Sequence, residues 1–151
     1  MGLTKHIGGI AATEALIELC HIGRESTILD VGCGTGVLTR AAADAVGADG
    51  VVRGIDAAPA MVAVARREAE KYGNGAQFQV AAIEALPFDM GCFDVVLSSL
   101  MLHHLPPEAK HQGLREVYRV LKDGGRLIVV DVDRPAVLWW LLIWPLLFMA
   151  A

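Results

Sequence analysis

The run Asp30-Val31-Gly32-Cys33-Gly34-Thr35-Gly36, followed twenty residues later by Asp56, holds the residues whose types and spacing could do chemistry. Glycines at a strand-to-helix turn let the backbone approach a ligand closely and tolerate positive φ. The helix behind such a turn offers unpaired N–H groups. A dinucleotide pyrophosphate asks for G-x-G-x-x-G. Counted from Gly32 or from Gly34, the third glycine falls on Val37 or Thr39, so that pattern fails in both registers. A G-x-G-x-G loop remains, and it points to a ligand that does not need its pyrophosphate held. Asp56 ends a predicted strand, where a carboxylate can accept hydrogen bonds from both hydroxyls of a ribose. It also precedes Pro59 by three residues, so a helix-capping role is the alternative. The order and distance of loop and acid together favour the ribose role.

Three histidines come next as candidates. His103 and His104 follow the predicted fourth strand, where an imidazole could take a proton from a bound molecule. The plainer alternative is that they cap a helix or sit on the surface. His6, ahead of Gly8-Gly9, has weaker support. Cys20, Cys33 and Cys92 are scattered and fit no C-x-x-C spacing, so no metal or disulfide centre is expected. Reduced thiols of a cytoplasmic protein are the reading they favour.

The elements that must position these residues alternate between strand and helix. Apolar residues at Ile10, Ala15, Leu16, Leu19 and Cys20 predict a helix over Ile10–Ile22. Strands are predicted at Thr27–Val31, Val51–Asp56, Gln77–Ala81, Phe93–Ser98 and Arg126–Val132. Helices are predicted at Val37–Val46, Pro59–Tyr72 and Pro107–Leu121, with Pro59 suited to a first helical turn. Lys122-Asp123-Gly124-Gly125 reads as a helix stop and turn. Buried strands separated by helices indicate an α/β fold, a parallel sheet covered on both faces.

At 151 residues the chain is one domain's worth. Its net charge of −4 argues against a nucleic-acid binder, which needs a basic face. The first nine residues carry no apolar stretch of the kind that opens a secretory signal. The hydrophobic fraction is 54%, and much of the excess lies in Ala136–Ala151, sixteen residues without a charge. The expected division is therefore a core over residues 1–135 and an apolar helix or tail over 136–151. A spanning helix needs about 20 residues, and Pro145 would kink or end one. Trp139, Trp140 and Trp144 suit a membrane interface. Three readings stay open for the tail: a helix packed on its own sheet or a partner's, a segment lying on a bilayer, and the start of a span. The first is preferred, because the fifth strand would otherwise be an open edge.

Taken together, ILDVGCGTGVLTR (Ile28–Arg40), GIDAAPAMVAVAR (Gly54–Arg66), IEALPF (Ile83–Phe88), FDVVLSSLMLHHL (Phe93–Leu105) and VLKDGGRLIVVD (Val120–Asp131) resemble, in order, the motifs of class I S-adenosylmethionine-dependent methyltransferases. The likeness covers about residues 6 to 133 and is greatest to the small-molecule branch that includes quinone-biosynthesis enzymes. It implies a Rossmann-like sheet and S-adenosylmethionine as cofactor. By that resemblance Asp30 and the backbone of Gly32 and Gly34 hold the methionine moiety, with Gly36 completing the loop. Asp56 binds the ribose, Ala57 and Met61 pack near the adenine, and Ile83 and Glu84 lie along its edge. Ser98 faces the methionine end through its backbone, and His103 and His104 stand where the substrate pocket opens. Two departures count. Ala82 stands where the family commonly has an Asp for the adenine amino group, and the chain stops without the family's last helix and antiparallel strand pair.

The function expected is methyl transfer to a small, lipophilic acceptor, in the cytoplasm, with a membrane surface or self-association as a role for the tail. The alternative is a truncated, catalytically inactive module that still binds the cofactor. A nicotinamide-linked oxidoreductase is disfavoured by Val37 and Thr39.

Overall fold

The computed structural model describes residues 13–131. Its elements in chain order are α1 (residues 13–19), β1 (Thr27–Val31), α2 (Val37–Val46), β2 (Val51–Asp56), α3 (Pro59–Tyr72), β3 (Gln77–Val80), β4 (Phe93–Ser99), a 3-10 turn (Leu102–His104), α4 (Pro107–Val120) and β5 (Leu121–Val130). The five strands form one sheet in the order β3-β2-β1-β4-β5, and every pairing is parallel. The order reverses between β1 and β4, so a crevice opens there at the carboxyl ends of the strands, where open α/β sheets take their ligands.

Alternation along the strands divides the core between two faces. Ile28 of β1 and Val95 and Leu97 of β4 pack with Cys20, Ala42, Ala43 and Val46 under α1 and α2. Leu29, Val31 and Val96 point the other way and pack with Ile83, Val117 and Val120 under α4. β1 is buried along nearly its whole length because neighbours flank it on both sides and helices cover both faces. Helices on both faces of a parallel sheet were the sequence expectation, and the structure has them.

Helix ends follow local chemistry. α3 starts with Pro59 in its first turn, where a missing N–H costs nothing, and stops at Gly73. α4 likewise begins at Pro107. Two boundaries differ from the sequence expectation by three residues or more. The first helix ends at residue 19, not Ile22, because His21 turns left-handed (φ 45°) and its N–H bonds back to Glu18. The last strand pairs from Leu121, opposite Phe93, then jumps to Arg126 opposite Val95. Lys122–Gly125, expected as a helix stop and turn, lies instead within β5, where the pairing register shifts. Among the described residues there is no antiparallel strand. His6, Val132 and the segment 136–151 lie outside the described residues.

Candidate cofactor site

β1 and β2 end side by side, Asp30 opposite Gly54, and this pairing brings the two candidate carboxylates to one end of the sheet. The loop between β1 and α2 folds back on β2. The N–H groups of Gly32 and Cys33 both donate to the Ile55 carbonyl at 2.9 Å. Gly36 N–H donates to Cys33 O at 2.8 Å, and Gly34 N–H donates to Asp56 Oδ2 at 2.9 Å. Four of the loop's N–H donors, those of Gly32, Cys33, Gly34 and Gly36, are thus spent on its own shape. It is not the open nest of N–H groups that cradles phosphate.

Two loop glycines are obligatory. Gly32 has φ 74°, and a Cβ there would lie 2.3 Å from Met101 Cγ, so β4's outgoing chain can close over the loop only because Gly32 has no side chain. Gly36, with φ 77°, would drive a Cβ to 2.6 Å from the Phe78 ring. Gly36 is buried behind the loop, and its part in the site is to let α2 start against β3.

Two clefts meet at Gly32. One, of about 310 Å³, is lined by Thr13, Asp30, Cys33, Gly34, Val37 and Ser99 among others. The second, of about 200 Å³, is lined by Asp56, Ala57, Ala82, Ile83, Glu84 and Met101 together with neighbouring apolar residues. Among the described residues neither has a lysine or arginine in its walls, and between them they hold three carboxylates. That donor set refuses a pyrophosphate and suits a ligand bearing hydroxyls and positive charge, which is what S-adenosylmethionine offers along its length.

Asp30 is 1% exposed, and Thr39 Oγ1 donates to its Oδ2 at 2.6 Å. Burial pushes its carboxyl up to about 6; the Thr39 hydroxyl works against that rise and the neighbouring charge of Asp56 adds to it. The same burial, with the charges of Asp30 and Asp56 beside it, pushes the Cys33 thiol up to about 12. Cys33 is a filler of the loop, not a nucleophile. Asp56 is half-buried, and its Oδ1 accepts the N–H of Ala58 at 2.8 Å, at the cap of α3. The N-cap of α3 is Ala58 and no side chain caps the helix; Asp56 instead braces the turn into α3 and the glycine loop, and a carboxylate's remaining lone pairs can accept from hydroxyl donors.

Of the residues expected at the site, the structure brings Asp30, Gly32 and Gly34 to one cleft and Asp56, Ala57, Ile83 and Glu84 to the other. Met61 is exposed on α3 and lines neither. Ser98 is 3% exposed and sits within the ladder between Val31 and Val129, while Ser99, one residue on, lines the cleft with Asp30. The Ser98 hydroxyl is buried without a hydrogen-bond partner. His103 and His104 stand on the 3-10 turn between Met101 and Leu105, both of which line the second cleft. Thr13, Ser99, Met101 and Leu105 were missed in the sequence. Only Ser99 left a signal there, since alternation along β4 puts it on Asp30's face if the strand runs one residue further. No group of histidine, cysteine and carboxylate side chains suited to a metal occurs among the described residues. No described helix is long and apolar enough to cross a membrane.

Residues 28–125 match the family model described as a methyltransferase domain. The ubiquinone/menaquinone biosynthesis C-methyltransferase UbiE of Hahella chejuensis is 38% identical over 121 residues, 79% of this chain and 48% of that protein. The demethylmenaquinone methyltransferase of Bacillus licheniformis is 34% identical over 119 residues, 79% of this chain and 50% of that one. The crystal structure of the YcgJ protein of Bacillus subtilis superposes with a TM-score of 0.73 at 32% identity, over 80% of this chain and 50% of that chain. The chain spans about half the length of the curated relatives it matches. With the motifs in order and the family model matched over more than half the sequence, the chain belongs to the methyltransferase-domain family, that of the class I S-adenosylmethionine-dependent methyltransferases.

Proposed function

We propose that the chain binds S-adenosylmethionine and transfers its methyl group to a small lipophilic acceptor of the quinol type. One observation carries the cofactor half: two clefts meeting at Gly32 with three carboxylates and, among the described residues, no lysine or arginine, before a glycine loop in which the Gly32, Cys33, Gly34 and Gly36 N–H groups are already bonded. The bound cofactor supplies an electrophilic methyl on a positively charged sulfur. Asp30 and Ser99 are placed to meet its methionine end, and Asp56 its ribose. Ile83 and Met101 supply apolar walls for the adenine, and the backbone beside Ala82 replaces the absent Asp. For such a displacement the protein's contribution is mainly alignment, which can lower a barrier by up to about 7–11 kcal/mol.

The acceptor half is supported by relatives named for quinone methylation. His103 and His104, on the turn between the cleft-lining Met101 and Leu105, are the groups we assign to proton handling. The proposal includes a cytoplasmic setting, which three free thiols favour. It also includes a membrane surface or a second copy as the partner of the apolar segment 136–151. Val129 and Val130 of β5, both exposed, support a covering of that edge.

Calorimetric titration with S-adenosylmethionine and S-adenosylhomocysteine tests the cofactor, with NADH as control. Asp56→Ala should weaken binding by about 10- to 100-fold, the loss of one or two bonds to a charged acceptor. Saturable binding of NADH, or undiminished binding by the variant, would refute the site. Cofactor binding without turnover on any quinol would leave the inactive module as the function.

A further inference from the structure

Asp131, just past β5, has no part in the cofactor clefts, yet both of its oxygens are directed at one residue. Oδ2 accepts the backbone N–H of His103 at 3.0 Å, and Oδ1 lies 2.5 Å from His103 Nδ1. Both side chains are mostly buried, at 18% and 19% exposure. The ring of His104 lies against that of His103, centroids 3.8 Å apart. The turn carrying both histidines is bracketed by Met101 and Leu105, which wall the second cleft. Met101 also presses on Gly32, where the two clefts join.

We propose that Asp131 is a positioning residue that fixes the tautomer of His103, making this imidazole the base that takes a proton from the methyl acceptor. The inference rests on the methyltransferase reading above. A carboxylate has only lone pairs to offer, so the neutral ring must direct an Nδ1–H at it and carry its own lone pair on Nε2. In the step proposed, the acceptor's O–H bond breaks, its electron pair stays on the acceptor oxygen, and the proton goes to Nε2. The resulting imidazolium is paired with the Asp131 charge, and the proton leaves to water after the product departs. A quinol becomes a better nucleophile on losing that proton, and a positioned base typically contributes about 10²- to 10⁴-fold to rate.

A purely structural role, tying the turn to the end of β5, is the alternative, and Asp131→Asn separates the two. The Asn carbonyl still accepts the His103 backbone N–H, but its amide presents a donor to Nδ1 and so reverses the tautomer. Two measurements are made on the full chain. In ¹⁵N spectra of labelled histidine at mildly alkaline pH, His103 should show a protonated Nδ1 in the wild type and a protonated Nε2 in Asp131→Asn. With S-adenosylmethionine and a short-chain demethylmenaquinol as probe, Asp131→Asn should lose about 10²-fold or more in kcat. Its KM for the cofactor and its melting temperature should be retained, and Asp131→Glu should recover part of the rate. A protonated Nε2 in the wild type, or full kcat in Asp131→Asn, would overturn the proposal. Absence of any wild-type turnover with cofactor bound would sink the quinol reading instead, and the tautomer assignment would then be decided by the nitrogen spectra alone.

Discussion

At Asp30 stability and binding pull in opposite directions. Its carboxyl is buried to 1% exposure and titrates near 6, above its ordinary value of 3.8, chiefly because burial penalises the charge. The folded chain therefore holds this proton more tightly than the unfolded chain does. Stability falls as pH rises from about 4 through 6 and stays lowered above that, a cost on the order of 3 kcal/mol. Asp30→Asn, whose carbonyl can still accept the Thr39 hydroxyl, should melt higher than wild type at pH 7–8, and the gap should close toward pH 4. Cofactor affinity of the same variant should fall, because the cationic ligand loses its partner. Melting curves across that pH range check the first part and titration calorimetry the second; a variant no more stable than wild type at pH 8 refutes the assignment. Asp30 in a hydrophobic strand was legible as a functional residue. Its strand was legible as buried too; the Thr39 hydroxyl upon it was not, because that depends on how α2 folds over the strand end.

Between elements, α4 controls the wall of the second cleft. Arg119 donates to the carbonyls of Phe88 at 2.7 Å and Leu86 at 3.0 Å, and Glu116 accepts the Leu86 N–H at 2.9 Å. Glu116 and Arg119 bond to each other as well, and each holds the other charged: Arg119 keeps the Glu116 carboxyl below its usual range. The pair ties the chain from Leu86 to Phe88 down just after two residues, Ile83 and Glu84, that line the second cleft. Arg119→Ala should lower the melting temperature and weaken S-adenosylhomocysteine binding together, and Arg119→Lys, with one point charge for a planar fork, should fall between. Unchanged binding in a variant that melts lower would show that the latch serves folding alone. The roles of Glu116 and Arg119 were not legible in the sequence, since nothing local says that a loop thirty residues earlier lies beneath them.

For the whole molecule, the parallel sheet puts three cleft-lining segments at one end. Gly32–Leu38, Ala82–Leu86 and Ser99–Leu105 sit at or after the carboxyl ends of their strands. The turns Gly47–Gly50 and Gly73–Ala76 lie at the opposite end. Saturation with S-adenosylhomocysteine should slow amide exchange in the first three segments and leave the other two nearly unchanged. Equal protection at both ends would mean general stiffening of the fold in place of binding at the crevice. The carboxylate-lined clefts belong to this scale too, for they gather residues from four strand ends.

Element types, their order and the glycine loop were determined by the sequence alone, because hydrophobic period, turn residues and the spacing of Gly32, Gly34 and Asp56 are local properties of the chain. Boundaries were less secure: β5 begins five residues before its expected start because pairing with Phe93, a distant residue, begins at Leu121. Only the tertiary structure decided that Asp56 braces the loop it was expected to serve, that Ser99 lines the cleft, and that Met101 closes over Gly32. It alone joined His103 to Asp131, twenty-eight residues apart. The physical reason is common to all four: each depends on the register of parallel strands joined by crossovers. Such register is set by packing across the sheet and leaves little trace in the residues on either side.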